Sequence, residues 1–388
     1  MDIVQIPGSR IVDIARLAFA TPGTDFLCFG ESDRPSPMGA RDALVAALDA
    51  GMTKYPPVRG LPPLRAALAL YLSGLHGHAV TEDRIQVTAS GMAAVSIALA
   101  ACVRAGDRVV IHTPLWPNIA NAITLRGAMV DEIALTTRPD GGFTLDLDRL
   151  AEKLRGARAF VLNSPNNPTG WTATRAEIQT ILDICRREKV WLIADDVYSR
   201  LVYDGADAAP SVLDIATPDD RVMVCNSFSK TWVMTGWRLG WIVVPDGAGN
   251  AVAEIVEVTH SGTAPFIQQA GIAAVADRNV VADFRAVCAE GRRLCGDALG
   301  GLNGVRYAAP EGAFYAFVGI DGLRDSLGLA RRLITDHGVA VAPGVAFGAA
   351  GEGHLRICFA QSPTLIERAM GRLRDGLRAP GSIGGGRG

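Results

Sequence analysis

Residues 227–240 read SFSKTWVMTGWRLG and follow a short apolar run at 221–225, RVMVC. The segment holds Lys230, one of only four lysines; the others are Lys54, Lys153 and Lys189, and arginine supplies the remaining positive side chains. A solvated cation can be either residue. Lysine is required where the nitrogen must lose its proton and attack a carbonyl, which a guanidinium does not do at working pH. Ser227, Ser229 and Arg238 surround it with donors suited to a phosphate.

Runs like 221–225 recur on both sides: 84–88 (RIQVT), 108–112 (RVVIH), 129–135, 159–162 (AFVL), 190–194 (VWLIA) and 240–244. Segments with helical spacing, such as 91–105 and 175–188, separate them. This alternation predicts an α/β fold with a mostly parallel sheet covered by helices on both faces. Beyond residue 278 the pattern changes to an amphipathic stretch at 280–299, strands at 314–318 and 355–359, and a helix at 329–337. The division expected is an N-terminal segment 1–44 joining the small domain, a large domain 45–278, a small α+β domain 279–378, and a disordered Gly-rich tail 379–388.

At 388 residues and 49% hydrophobic composition the chain can bury more than one ordinary core. The formal net charge of −2 offers no footprint for nucleic acid and no polybasic membrane patch. No apolar run reaches the ~18 residues of a membrane span, and Asp2 interrupts any leader-like start. The seven cysteines are scattered and never spaced Cys-x-x-Cys, so neither a disulfide framework nor a zinc site is expected, and a reducing cytoplasm fits. His76 and His78 form the one close histidine pair; Gly74 and Gly77 beside them read as a loop, and no metal is expected.

Ligands of open parallel sheets collect outside the carboxyl ends of the strands, and five of the runs pass directly into polar segments there. After 84–88, Ser90, Gly91 and Met92 open an Ala-rich helix; Ser90 is an ordinary N-cap or the helix start receives a phosphate. After 108–112, prolines hold Trp116 either as a stacking face or as a core wedge. NSPNNPTG at 163–170 is a rigid turn or aims an amide at a ligand oxygen. Asp195 is a desolvated carboxylate in need of a cation, such as a ring nitrogen, or a plain helix cap. Asp196 is expected to face solvent. A phosphate cradle, a stacking aromatic, a ring-nitrogen carboxylate, hydrogen-bond donors and a single lysine together describe pyridoxal phosphate held on Lys230.

On these motifs the chain resembles the class I/II aminotransferases of pyridoxal-phosphate fold type I, over about residues 9–375. Residues 227–240 match that family's lysine-attachment signature, with NNPTG and ADDVY at the expected separations upstream. The resemblance implies a seven-stranded, mostly parallel sheet sandwiched by helices, plus a smaller α+β domain. It implies an aminotransferase (EC 2.6.1.-) that moves an amino group between an L-amino acid and a 2-oxo acid through a Lys230 internal aldimine. Lys230 would be the general base, Asp195 would hold the pyridine nitrogen, and Asn167 and Tyr198 the ring oxygen. Trp116 would stack on the ring, while Gly91, Met92, Ser227 and Arg238 would hold the phosphate. Tyr55 would reach the phosphate of a neighbouring subunit, implying a homodimer with shared active sites. Arg356 would clamp the substrate α-carboxylate, with Asn167 and Gly30 lining the substrate pocket. Met92 stands where many relatives carry a small polar residue, Asp196 replaces a common glutamate, and no arginine takes a recognisable position for a side-chain carboxylate. A lyase, cyclase or oxidase of the same fold is the alternative; the amino donor and acceptor are not specified.

Overall fold

The computed structural model describes residues 6–378; the tail expected to be disordered, 379–388, lies outside them. Seven strands form the large sheet: β1 (Ile85–Thr88), β2 (Arg108–Thr113), β3 (Met129–Ala134), β4 (Ala159–Asn163), β5 (Trp191–Asp195), β6 (Val222–Ser227) and β7 (Gly240–Val243). Their order is β1-β7-β6-β5-β4-β2-β3, with β7 antiparallel to both neighbours and the other pairings parallel. Successive side chains of a strand feed two different cores. Val110, Phe160 and Leu162 join the cluster on one face, while Val109, Ile111, Ala159 and Val161 join the cluster on the other. Burial on both faces is why these strands read as continuous apolar runs. Only β3, on the edge, carries charge midway, at Asp131 and Glu132, which discourages pairing with another chain.

All seven expected strands form, each within two residues of its expected limits. The helix expected at 91–105 stops earlier, as Gly91–Cys102. Val103 adopts an extended backbone (φ −115°, ψ 134°) that buries its side chain, and the turn that follows leads into β2. The His76 region is also not the loop expected. His76 is the last residue of helix Pro62–His76, which Gly77 ends in the left-handed conformation. Its Nδ1 lies 2.7 Å from an Asp214 carboxylate oxygen, and His78 contacts the Asp214 carbonyl, so both rings are structural partners of one aspartate.

The second sheet is antiparallel: β8 (Val305–Arg306), β9 (Tyr315–Ile320), β10 (Ala342–Pro343) and β11 (His354–Cys358), in the order β8-β9-β11-β10. Helices Arg278–Leu299, Ser326–His337 and Pro363–Arg378 accompany it. The start of the chain returns to this region. Helix α1 (Arg10–Ala20) packs on Ser326–His337, and Asp25–Phe26 pairs in parallel with Val339–Ala340. The buried Asp25 carboxylate is gripped by Arg368 and by Arg372 at 3.0 Å, which ties the N-terminal segment to the last helix.

Candidate active site

The carboxyl ends of β1, β4, β5 and β6 open into a cavity of about 500 Å³, closed from the other side by residues 28–31, Tyr315 of β9 and Arg356 of β11. The register brings the polar strand ends into line: Asn163 lies opposite Asp195, and Asp195 opposite Cys225.

Lys230 sits in the turn after β6, half-buried, with Nζ donating to the Gly30 carbonyl at 2.5 Å. Loss of hydration pushes its pKa down to about 8; Arg356 and Arg238 act in the same direction, and Cys358 and Glu31 oppose them. Asp195 ends β5 in the opposite condition. Burial pushes its carboxyl up to about 7, the Asp196 charge adds to this, and a 3.3 Å hydrogen bond from the Val197 N–H and the Lys230 charge oppose it. Among the described residues no basic side chain forms an ion pair with Asp195, so its negative charge is left for a ligand cation.

Asp196 departs from expectation: it is buried rather than facing solvent. Its Oδ2 accepts the Ser211 hydroxyl at 2.6 Å, and its main chain is bonded to Cys225 and Asn226. Strand geometry points adjacent side chains to opposite sides, so while Asp195 reaches the cavity Asp196 is carried behind it. Burial raises its pKa to about 6 against the opposing effects of Ser211 and His76.

The three asparagines of NSPNNPTG divide the two readings of that segment between them. Asn166 builds the turn, its Oδ1 accepting the Thr169 N–H and hydroxyl. Asn163 braces the site: its Oδ1 accepts the Asn167 N–H at 2.9 Å, and its Nδ2 donates to the Asp195 carbonyl at 3.1 Å. Asn167 faces the cavity, where its Oδ1 accepts from Arg356 Nη1 at 2.9 Å, leaving its Nδ2 as the end that can donate to a ligand.

Arg356 is 1% exposed, an unusual place for a guanidinium. The Tyr315 and Phe347 rings sandwich it at 4.4 and 4.8 Å, Nη2 donates to the Cys28 carbonyl at 2.5 Å, and Nε has no partner. Tyr315 in turn shares a 2.8 Å hydroxyl–hydroxyl hydrogen bond with Tyr198. Gly30 must lack a side chain, because an added Cβ would collide with the Tyr315 hydroxyl and lie 3.6 Å from Lys230 Nζ.

At the other end of the cavity, Ser90 caps helix Gly91–Cys102 by accepting the Ala93 N–H at 3.0 Å. The capping and anion-site readings are compatible, since the cap leaves the Gly91 and Met92 end facing the cavity. A Cβ on Gly91 would come within 3.3 Å of the Ser227 side chain, so glycine lets the helix start approach that hydroxyl closely. Arg238 lines the same end, its Nη1 donating to the Thr235 carbonyl. Trp116 is half-buried, packs on the core with one part and lines the cavity with another. Tyr55 is 92% exposed and stands apart from the cavity of its own chain.

The family model described as "Aminotransferase class I and II" matches residues 26–373. The chain belongs to that family. It is 30% identical to an aspartate aminotransferase of Pyrococcus horikoshii, over 97% of this chain and 96% of the relative. It is 31% identical to aromatic-amino-acid aminotransferase 2 of Thermococcus litoralis, over 95% and 96%. The crystal structure of an aspartate aminotransferase from Thermotoga maritima superimposes with a TM-score of 0.89 at 29% identity, covering 96% of this chain and 98% of that one. The protein is thus a pyridoxal-phosphate-dependent aminotransferase of fold type I.

The cavity of the aminotransferase fits that cofactor on its own chemistry. A half-buried carboxylate without a cation, a helix start with hydroxyls and a guanidinium, and a lysine with a lowered pKa line the same cavity. Among lining residues, sequence reasoning missed Tyr315, Asn163 as a brace, Ile11 and Phe29. Tyr315 lies in the apolar run GAFYAFV, where nothing local separates it from core, and only the fold brings it to Tyr198, 117 residues away.

Proposed function

We propose that the transamination of this protein is carried by Lys230, Asp195, Tyr198, Asn167 and Arg356, with Gly91, Met92, Ser227 and Arg238 holding the cofactor phosphate. The observation that carries this reading is a lysine with a lowered pKa and an unpaired carboxylate facing one cavity. When bound, pyridoxal phosphate supplies an aldehyde that condenses with amines and a protonated ring that accepts the electron pair left at Cα. Helix-start N–H groups, the Ser227 hydroxyl and the planar Arg238 fork complement a phosphate dianion. Asp195 keeps a ring-nitrogen proton in place, and the contact in turn gives Asp195 the cation it lacks. Trp116 presents a flat face to the ring.

Asn167 Nδ2 and the Tyr198 hydroxyl supply donors on the side of the cavity nearer Arg356. Arg356 takes the α-carboxylate of the amino acid and later of the 2-oxo acid; its two stacked rings fix the guanidinium plane before the substrate arrives. Lys230 Nζ, neutral in a large fraction near pH 8, accepts the proton from Cα and delivers it to the neighbouring carbon. Burial of these groups keeps water from competing for that proton.

The exposed Tyr55 supports a homodimer in which each chain completes the phosphate site of the other. Seven free, buried cysteines are compatible with a reducing cytoplasm, and among the described residues no helix is long and apolar enough to cross a membrane. The attachment role is tested by borohydride reduction of the cofactor-loaded protein and peptide mapping. The pyridoxyl group is expected on Lys230; a label on Lys54, Lys153 or Lys189 contradicts the assignment. Mixing Tyr55→Phe chains, expected to hold the cofactor more weakly, with inactive Lys230→Ala chains tests the shared site: hybrid dimers recover one intact site only if Tyr55 acts across the interface.

A further inference from the structure

The charged residues lining the cavity are Glu31, Asp195, Lys230, Arg238 and Arg356. The proposed roles use all three cations: Lys230 at the aldehyde, Arg238 at the phosphate and Arg356 at the α-carboxylate. Of the anions, Asp195 serves the ring, and Glu31 at the rim accepts a hydrogen bond from the Thr235 hydroxyl. Among the described residues no further cation lines the cavity to meet a second carboxylate on the substrate.

What the N-terminal side offers instead is apolar. Ile11, 5% exposed, enters the lining from α1, beside the half-buried Phe29. Phe29 belongs to a triangle of rings: it stacks on Phe26 at 6.2 Å and lies 6.0 Å from Phe19 of α1, which in turn is 4.9 Å from Phe26. Through Phe19 the triangle joins Phe29 to α1, the helix that also carries Ile11. The indole of Trp116 and the ring of Tyr315 extend the same kind of surface. A carboxylate moved against such a wall loses hydration and gains no counter-charge from the described residues of this chain, whereas a hydrocarbon side chain gains from leaving water.

We infer that this aminotransferase takes L-amino acids with uncharged apolar side chains, of the leucine, methionine and phenylalanine class, in preference to aspartate and glutamate, and that Ile11 and Phe29 set that choice. The inference rests on the proposed roles of Arg356 and Arg238, and it separates this chain from the aspartate aminotransferases among its relatives.

The test uses the cofactor-loaded enzyme and one amino acid at a time, following a single turnover through the absorbance of the cofactor, so that no acceptor need be chosen. The ratio of rate to half-saturating concentration is expected to favour leucine, methionine or phenylalanine over aspartate and glutamate by on the order of 100-fold or more. Calorimetric binding of amine-free analogues gives a readout independent of turnover, with 4-methylpentanoate expected to bind more tightly than succinate. A preference for aspartate or glutamate in turnover, or for succinate in binding, overturns the inference. Ile11→Ala and Phe29→Ala should each lower the ratio for leucine and phenylalanine about 10-fold while leaving alanine within about twofold. Equal losses on all three would deny them a specificity role. Arg356→Leu keeps the underlying reading separately visible: if it leaves leucine and aspartate turnover unchanged, the carboxylate clamp is wrong and the inference falls with it.

Discussion

The cofactor half and the substrate half of the cavity are built differently. Around the proposed phosphate and ring sites, each wall is a few consecutive residues at the end of one strand: Ser90–Gly91 after β1, Asn163 and Asn167 at β4, Asp195 and Tyr198 at β5, Ser227 and Lys230 at β6. Around the proposed substrate site the walls meet from distant parts of the chain. Arg356 bonds to Cys28 across 328 residues and to Asn167 across 189, while Tyr315 meets Tyr198 across 117. A strand end is a local object that a short motif specifies; a site assembled between sheets is specified only by the packing that brings them together.

If that contrast is right, disrupting the cofactor half should abolish turnover for every substrate, and disrupting the substrate half should change selectivity and saturation. The largest effect is expected at Lys230, whose replacement by Ala removes the proton carrier and should lower single-turnover rates by roughly three orders of magnitude or more. Asp195→Ala should retain cofactor yet lose about two orders of magnitude or more, because an unprotonated ring is a poor electron sink; near-normal turnover would make Asp195 structural. On the substrate side, Gly30→Ala drives a methyl into the Tyr315 hydroxyl and should disturb the Tyr198–Tyr315 pair. Its catalytic efficiency is expected to fall about 10-fold with cofactor affinity nearly unchanged, as read from turnover and cofactor titration. The smallest effect is expected behind the site: Asp196→Ala removes the acceptor of the buried Ser211 hydroxyl and should cost about 1–3 kcal/mol in stability by denaturant titration, with little change in substrate selectivity.

The same contrast explains what the sequence disclosed. The seven strands were legible because all but the charged edge strand β3 run between two cores and are largely apolar, and the lysine segment was legible because its donors are neighbours in the chain. Arg356 was found through resemblance, since an arginine inside the run HLRICFA carries no local mark of being buried between two rings. Tyr315, Ile11 and Phe29 were missed because an aromatic or aliphatic residue in an apolar run looks like core until the other wall is in place. Asp196 was misread for a related reason. A charged residue beside a strand end suggests solvent, and it is the Ser211 hydroxyl and His76, arriving from elsewhere, that ease its burial.

The central claim is that this fold holds the Lys230 amine in a poorly hydrated place where it gives up its proton unusually easily. Competitive acetylation of the cofactor-free protein, with the Lys230 peptide quantified against pH, measures this directly, because only the neutral amine reacts. Burial lowers the pKa, so the reactive form should appear with a midpoint near pH 8, well below the ordinary lysine value of 10.5. Between those two values the folded state binds fewer protons at this site than the unfolded chain, so stability of the cofactor-free protein should rise with pH across the same window. A midpoint near 8 for Lys230 is the predicted result; a midpoint near 10.5 for Lys230 would contradict the account.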